Sequence, residues 1–152
     1  MDVALIAVAG TLLGVIATHW FQGRMTLRTA ALARNEQLRQ ERIAAFSAFA
    51  GAVVEYRRSQ NDRWFRAVEN PGSEEAEESR HASYRQRTAA HQALFRVQLI
   101  CDDAALRQLA EAAFVDTHCL HEAVGAEDRA HRSEQAKEAL SRFIAAAAPG
   151  LR

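Results

Sequence analysis

The residues best suited to chemistry stand together in one short stretch, Thr117 to Glu122. It holds two imidazoles, His118 and His121, on either side of the thiol of Cys119. The histidines are three positions apart, so on a helix they share a face and could both bind zinc. A structural zinc site takes about four ligands, and one turn offers about two. We interpret both histidines as exposed side chains beside a core cysteine, and leave open whether this turn binds metal.

Two other pairs have the spacing that di-metal helical bundles use, in which an acid precedes a histidine by three positions. They are Glu78 with His81 and Asp128 with His131. Both pairs stand at the charged starts of predicted helices, away from the apolar stripes, and glutamates facing the core are missing. The sequence therefore predicts neither a metal site nor a cofactor.

The sequence shows no signature of catalysis or of nucleic-acid binding. The chain has no Gly-x-Ser-x-Gly motif and no glycine-rich phosphate loop, so nucleophilic catalysis and nucleotide chemistry are not indicated. Four arginines surround Trp64 and Phe65, but acidic residues interleave them, and 19 basic residues balance 19 acidic ones. We predict a protein that is not an enzyme and that does not bind nucleic acid.

The composition favours helix over sheet. The chain has 152 residues, of which 49% are apolar, only 7% are aromatic and two are proline. Alanine, leucine, arginine, glutamine and glutamate are strong helix formers, and this length suits one domain. The sequence predicts an all-α fold: an N-terminal transmembrane helix that continues into a long stalk helix and an up-and-down antiparallel helical bundle.

The first segment, residues 1–21, is predicted to be a transmembrane anchor. Val3 to Phe21 contains 19 residues without a charged side chain, which spans about 28 Å as a helix, close to a bilayer core of ~30 Å. An export signal would have basic residues before the apolar run and small residues after it, and neither is present. A core helix of a soluble bundle is the remaining alternative.

The residues after the apolar run suit a membrane interface. Trp20 favours the depth of the headgroups, and Arg24 and Arg28 can reach lipid phosphates. The arginines all follow the run, and no acidic residue stands between Asp2 and Glu36. The positive-inside rule then predicts a single-pass protein of the cell membrane, with its N-terminus outside and its bundle in the cytoplasm.

Small residues line one side of the predicted span and suggest self-association. Gly10 and Gly14 form a Gly-x-x-x-Gly motif, which lets two helix backbones approach closely in lipid. Ala7 and Ala17 extend the same face. We predict that the protein is a homo-oligomer held in part by these residues.

The rest of the chain divides into a stalk and a bundle. Residues 22–42 are arginine-rich with almost no apolar face, as expected for a solvated stalk helix. Residues 43–148 show apolar positions at helical spacing, in helices predicted at about 43–69, 74–101, 103–124 and 128–148. Ser73 and Asp103 stand at two of the predicted helix starts. The predicted core positions are Ile43, Phe46, Phe49, Ala50, Val53, Tyr56, Trp64, Phe65, Val68, Tyr84, His91, Leu94, Phe95, Val97, Leu99, Leu106, Leu109, Ala113, Phe114, Leu120, Val124, Leu140, Phe143, Ile144 and Ala147.

Only two cysteines are present, Cys101 and Cys119. Two are too few for a disulfide scaffold. Both fall at apolar-facing helical positions, where a free cysteine acts as a small core residue. We expect both to be buried and reduced.

Two segments carry a resemblance to other proteins. They are LRQERIAAFSAFAGAVVEYRR, Leu38 to Arg58, and FRVQLICDDAALRQLAEAAF, Phe95 to Phe114. With the N-terminal span and its arginine-rich exit, they resemble uncharacterised actinobacterial single-span membrane proteins. That resemblance implies a helical protein of no assigned activity, and no functional residue follows from it.

Two functional hypotheses remain. The first is a membrane-tethered helical scaffold or adaptor that contacts lipid and presents its cytoplasmic bundle to a protein partner. The alternative is a soluble helical bundle, structural or ligand-sensing, that buries its apolar N-terminal helix in itself or in a homo-oligomer. Whether the protein needs detergent for extraction distinguishes the two.

Overall fold

The computed structural model describes secondary structure for residues 2–151 and side chains for residues 29–151. In that part of the chain there are four α-helices and no strand: α1 Asp2–Glu69, α2 Glu74–Ile100, α3 Ala104–His118 and α4 Ala126–Ala147. Short 3₁₀ helices cover Cys119–Glu122 and Ala148–Leu151. The prediction of an all-α fold is confirmed. The chain divides into two compact units, Met1–Gln40 and Glu41–Arg152.

The described side chains of the first unit, residues 29–40, are mostly exposed. Glu36 is held by two local contacts: Arg39 Nη1 lies 3.1 Å from its carboxylate, and the amide of Gln40 donates to it at 2.8 Å. The hydrogen bond from Gln40 is the main cause that lowers the pKa of Glu36. Contacts between residues three and four positions apart support a helix locally.

In the second unit, α2 runs antiparallel to the C-terminal part of α1. Near one end of the bundle, Arg42 Nε donates to the carbonyl of Ile100 at 3.4 Å. Near the other end, Ser83 Oγ donates to the side-chain oxygen of Gln60 at 2.7 Å. Arg42 of α1 therefore lies beside the end of α2, and Gln60 lies beside the first half of α2.

Helices α3 and α4 continue this alternation. Gln60 Nε2 donates to the carbonyl of His118 at 2.8 Å, so the end of α3 lies beside the late part of α1. Helix α4 runs in the opposite direction to α3. Its first half lies beside the late part of α1, since Asn61 Nδ2 donates to Ser133 Oγ at 3.4 Å. Its second half lies beside an earlier part of α1, where the rings of Phe143 and Phe46 pack with centroids 5.7 Å apart. Successive helices thus run in opposite directions.

The core lies where the four helices face one another. The rings of Phe49 and Phe143 meet edge to face with centroids 5.1 Å apart, a preferred geometry for buried aromatic pairs. Most of the predicted apolar positions are buried, which confirms the helical periodicity: Phe46, Phe49, Val53, Tyr56, Trp64, Leu94, Val97, Leu106, Ala113, Phe114, Leu120, Leu140, Phe143 and Ala147.

The core prediction was wrong at positions on the flanks and ends of helices. Exposed side chains are Phe65, Val68, Tyr84, His91, Phe95, Leu99, Val124 and Ile144. The physical reason is that the stripe of apolar residues along each helix is wider than the surface that a neighbouring helix covers. Residues at the edges of the stripe therefore stay exposed. Phe65 and Ile144, for example, each follow a buried aromatic residue and so point about 100° away from it.

The predicted helix starts at Ser73 and Asp103 are confirmed. The hydroxyl of Ser73 accepts the backbone N–H of Ala76 at 3.2 Å. The carboxylate of Asp103 accepts the N–H groups of Ala105 and Leu106 at 2.8 and 3.3 Å. Each cap satisfies backbone donors that the first helical turn leaves free.

The third predicted helix, 103–124, was too long. The α-helix ends at His118 and a 3₁₀ turn follows to Glu122. The indole N–H of Trp64 donates to the carbonyl of Ala123 at 2.9 Å, so this carbonyl bonds outside any helix. Gly125 then adopts a positive φ of 88°, a conformation that glycine favours, and α4 begins directly after it rather than at 128.

The predicted anchor, residues 1–21, and the first part of the predicted stalk, residues 22–28, lie outside the residues with described side chains. Within residues 29–151, no helix has an apolar stretch long enough to cross a bilayer.

Candidate functional site

The predicted membrane-interface residues Trp20, Arg24 and Arg28 lie outside the described side chains. The same holds for the predicted self-association face of Ala7, Gly10, Gly14 and Ala17. Both sets remain predictions. The structure does describe the third candidate region, the turn around His118 and His121.

That turn closes a buried polar cluster at one end of the bundle. The hydroxyl of Tyr56 lies 2.8 Å from Nδ1 of His118. Tyr56 is almost fully buried by α1 and its neighbours, and its ring packs on that of Phe114 with centroids 5.8 Å apart. The histidine therefore faces inward, although the sequence suggested an exposed side chain.

Gln60 is the centre of this cluster. Its side chain has no exposed surface, so every polar atom must find a partner within the protein. Its Nε2 atom donates to the carbonyl of His118 at 2.8 Å and lies 3.2 Å from the hydroxyl of Tyr56. Its Oε1 atom accepts the hydroxyl of Ser83 at 2.7 Å. One amide thus joins α1, α2 and the end of α3.

Burial favours the neutral forms of Tyr56 and His118. It raises the pKa of Tyr56 to about 12, so the phenol keeps its proton. Burial is also the main cause that lowers the pKa of His118, and the positive charge of Arg87 acts in the same direction. His121 and Arg63 lower it further, whereas Glu122 opposes them. A neutral His118 can then accept the proton of Tyr56.

The cluster does not assemble metal ligands. Nδ1 of His121 lies 2.7 Å from the carbonyl of His118, and the two imidazole centroids are 5.3 Å apart. In residues 29–151, no three histidine, cysteine, aspartate or glutamate side chains converge on one point. At Asp128 and His131, the pair whose spacing was considered and not predicted to bind metal, the Asp128 carboxylate accepts the N–H of Val124 at 2.8 Å and Nε–H of Arg132 at 3.0 Å.

The cysteines differ from one another. Cys101 is buried at the end of α2, as expected, whereas Cys119 is half-buried. Cys119 begins the 3₁₀ turn, and there the side chain is no longer on the inner face of a helix. The expectation of two buried thiols was therefore half right, and neither cysteine is disulfide-bonded.

An arginine covers the aromatic residues beside the cluster. The guanidinium of Arg129 lies 4.6 Å from the ring centre of Phe65 and 5.5 Å from that of Trp64. It also donates to the side-chain oxygen of Asn61. The contact joins the first turn of α4 to the end of α1, so these arginine and aromatic residues serve packing within the bundle.

A second feature lies on the outside of α2. Tyr84 and Phe95 are half-exposed, and a shallow depression of about 340 Å³ lies between them. His91 lies in the same depression, with its ring centroid 4.4 Å from that of Phe95. Exposed aromatic residues in a row are typical of a protein contact surface.

Sequence reasoning missed the role of Gln60 and Ser83. A signal was present, because Gln60 follows Val53 and Tyr56 at helical spacing and so interrupts an apolar stripe with an amide. A polar residue on a core face must have a partner. Its partner could not be found from the sequence, because Ser83 lies on another helix.

The structure therefore defines a four-helix bundle with a largely buried polar cluster at one end and an aromatic row on one outer face. Residues 43–151 match the protein family described as KilB plasmid transfer protein. The chain belongs to this family. No curated protein and no solved structure matches the chain.

The family match covers residues 43–151, which include most of the two segments that carry the sequence resemblance. It begins at Ile43, where the apolar stripe of the bundle begins, and ends within the last 3₁₀ helix. It covers the bundle and not the predicted anchor. The actinobacterial and single-span parts of the resemblance remain predictions.

Proposed function

We propose that the protein is a membrane-tethered, non-enzymatic helical bundle that serves plasmid transfer by presenting its surface to other proteins. The observation that carries this proposal is the family match over residues 43–151, whose description is that of a plasmid transfer protein. The matched segment is the helical bundle, so we assign the transfer function to the bundle.

The sequence before the bundle supports a tether. Val3 to Phe21 is uncharged and as a helix is long enough to cross a bilayer, and Arg24 and Arg28 follow it. In this proposal the short N-terminus is outside the cell and the bundle is in the cytoplasm. Membrane lipid and a protein partner are the contacts expected, and nucleic acid is not.

The character of the bundle surface supports an adaptor rather than an enzyme. The most exposed large apolar side chains of the described residues include Leu99 and Val124, at 88% and 87%. The buried polar cluster at Tyr56 and Gln60 is fully used in internal hydrogen bonds. The polar groups thus hold helices together, while the apolar groups on the surface are available for a partner.

Cell fractionation together with a transfer assay tests this proposal. We expect the full chain to pellet with membranes and to resist alkaline carbonate, and deletion of residues 1–24 to release the bundle to the soluble fraction. A plasmid that encodes the deletion variant should transfer poorly although the bundle is still made. Recovery of the full chain without detergent would instead support a soluble bundle that buries its N-terminal helix.

A charged substitution in the apolar run tests whether membrane attachment is required in addition to the bundle. Leu13→Arg places a charge inside the apolar run and should release the full-length chain from membranes, whereas Leu13→Ile should not. If Leu13→Arg lowers transfer as strongly as the deletion does, the tether is required. Normal transfer with the deletion variant or with Leu13→Arg would show that the bundle acts without an anchor.

A further inference from the structure

Helix α2 carries a continuous aromatic face on the outside of the bundle. It is formed by side chains three or four positions apart, which therefore share one side of the helix. We call it the α2 face, and it consists of Tyr84, Thr88, His91, Phe95 and Leu99. Tyr84 is 46% exposed, Phe95 50% and Leu99 88%. A monomer would leave this row in contact with water.

Contacts with the bundle hold the face in place. The ring of His91 lies between those of Phe95 and Phe114, with centroid distances of 4.4 and 5.0 Å. The guanidinium of Arg63 lies 5.5 Å from the ring centre of Tyr84. Because these rings are already positioned, little side-chain freedom is lost when a partner binds. The α2 face is therefore a preformed surface.

The charges along α2 indicate the kind of partner. Its first turns carry only acids, and after Glu78 the charged residues are all arginine: Arg80, Arg85, Arg87 and Arg96. Glu78 and Arg96 are both exposed and stand 18 positions apart, which is five whole turns at 3.6 residues per turn. They consequently lie on the same flank of the α2 face. An antiparallel helix with the same charge order would match both.

We propose that two copies of this chain associate through the α2 face, with their α2 helices antiparallel about a two-fold axis near Thr88. The pairing brings Glu78 of each copy to Arg96 of the second copy, so symmetry forms the ion pair twice. The small side chain of Thr88 lies near the axis and allows close approach. In this register Tyr84 of one copy lies beside His91 of the second copy.

A parallel pair would not join these residues. With a two-fold axis along the helices, the flank that carries Glu78 and Arg96 in one copy faces the opposite flank of the second, so the Glu78–Arg96 ion pair does not form. The antiparallel pair also opposes the two helix dipoles. This proposal does not depend on a membrane anchor or on the transfer function.

Site-directed cross-linking of the full chain tests the contact. Thr88→Cys places a thiol near the proposed axis, and Lys137→Cys places one on the exposed side of α4. With a short bismaleimide, the first variant in detergent solution should give a covalent dimer, and the second, like the parent with its native cysteines, should give none. Equal yields from both variants, or no dimer from either, would overturn the proposal.

Charge exchange tests the orientation. In the Thr88→Cys background, Arg96→Glu places two acids together at each end and should weaken dimer formation by about tenfold. Adding Glu78→Arg restores opposite charges and should recover cross-linking. If Arg96→Glu has no effect, or if the double exchange fails to recover the yield while its helicity is unchanged, the antiparallel pairing is wrong.

Discussion

The hydroxyl of Tyr56 and Nδ1 of His118 are 2.8 Å apart, and they join the middle of the bundle part of α1 to the end of α3. The tyrosine must donate, because its pKa is raised to about 12 by burial and it keeps its proton. The imidazole must then accept, in agreement with the lowered pKa of His118. The pair works only when both groups are neutral.

This pair makes stability depend on pH. The folded-state pKa of His118 lies below its ordinary value of 6.5, so the unfolded chain takes up the proton first as the pH falls. Neutral His118 contributes fully to the unfolding free energy above about pH 6.5. This contribution is lost as the pH falls toward the folded-state pKa, and the unfolding free energy then changes by at most about 1.4 kcal/mol per pH unit. Urea unfolding at pH 7 and pH 5 measures it.

The control for this pH effect is His118→Asn. The asparagine oxygen can accept the proton of Tyr56 but does not titrate in this range. We expect the variant to lose part of the decline in unfolding free energy between pH 7 and pH 5, whereas His131→Asn on exposed α4 surface should keep it. A parent-like decline in His118→Asn would show that other groups cause it.

Loss of the amide of Gln60 should destabilise the bundle. Gln60→Ala removes one of the two groups that contact the carbonyl of His118, since Nδ1 of His121 remains, and it leaves the hydroxyl of Ser83 without its acceptor. An unsatisfied buried group costs about 1–3 kcal/mol, so we expect a fall in unfolding free energy within or above that range. Denaturant unfolding measures it, with the exposed Gln108→Ala as control.

A double-mutant cycle tests whether Gln60 and Ser83 act together. Ser83→Ala should cost less in the Gln60→Ala background than in the parent, because its partner is already absent. Additive losses would mean that the 2.7 Å hydrogen bond between these side chains contributes no coupling.

The helical bundle could be predicted from sequence because its apolar positions recur locally along each helix. The caps at Ser73 and Asp103 could be predicted for the same reason, since a cap and its partners are neighbours in the chain. The inward turn of His118 could not, because it depends on Tyr56, which is 62 positions away. Phe95 was expected in the core because it continues the apolar pattern of α2. The sequence does not show that α3 packs on this side of α2 through Phe114 and His91, which leaves Phe95 exposed.

Truncation of a core ring should be far more costly than truncation of a surface side chain. Phe49 is fully buried and packs edge to face on Phe143, so Phe49→Ala should lower the unfolding free energy by about 3–5 kcal/mol. Ile144→Ala, next to the same ring but half-exposed, should cost less than about 1 kcal/mol. Thermal unfolding followed by circular dichroism measures both. Similar losses would contradict the position of the core.

The predicted small-residue face of the N-terminal segment can be tested apart from the bundle. Gly14→Ile adds a branched side chain where Gly10 and Gly14 would let two backbones approach in lipid, and should weaken association in a membrane two-hybrid assay. Leu13→Ile, off that face, should not. Insertion should be unaffected, because isoleucine is at least as apolar as glycine. If Gly14→Ile associates as well as Leu13→Ile, these glycines do not pack helices together, and any oligomer must be held by another surface such as the α2 face.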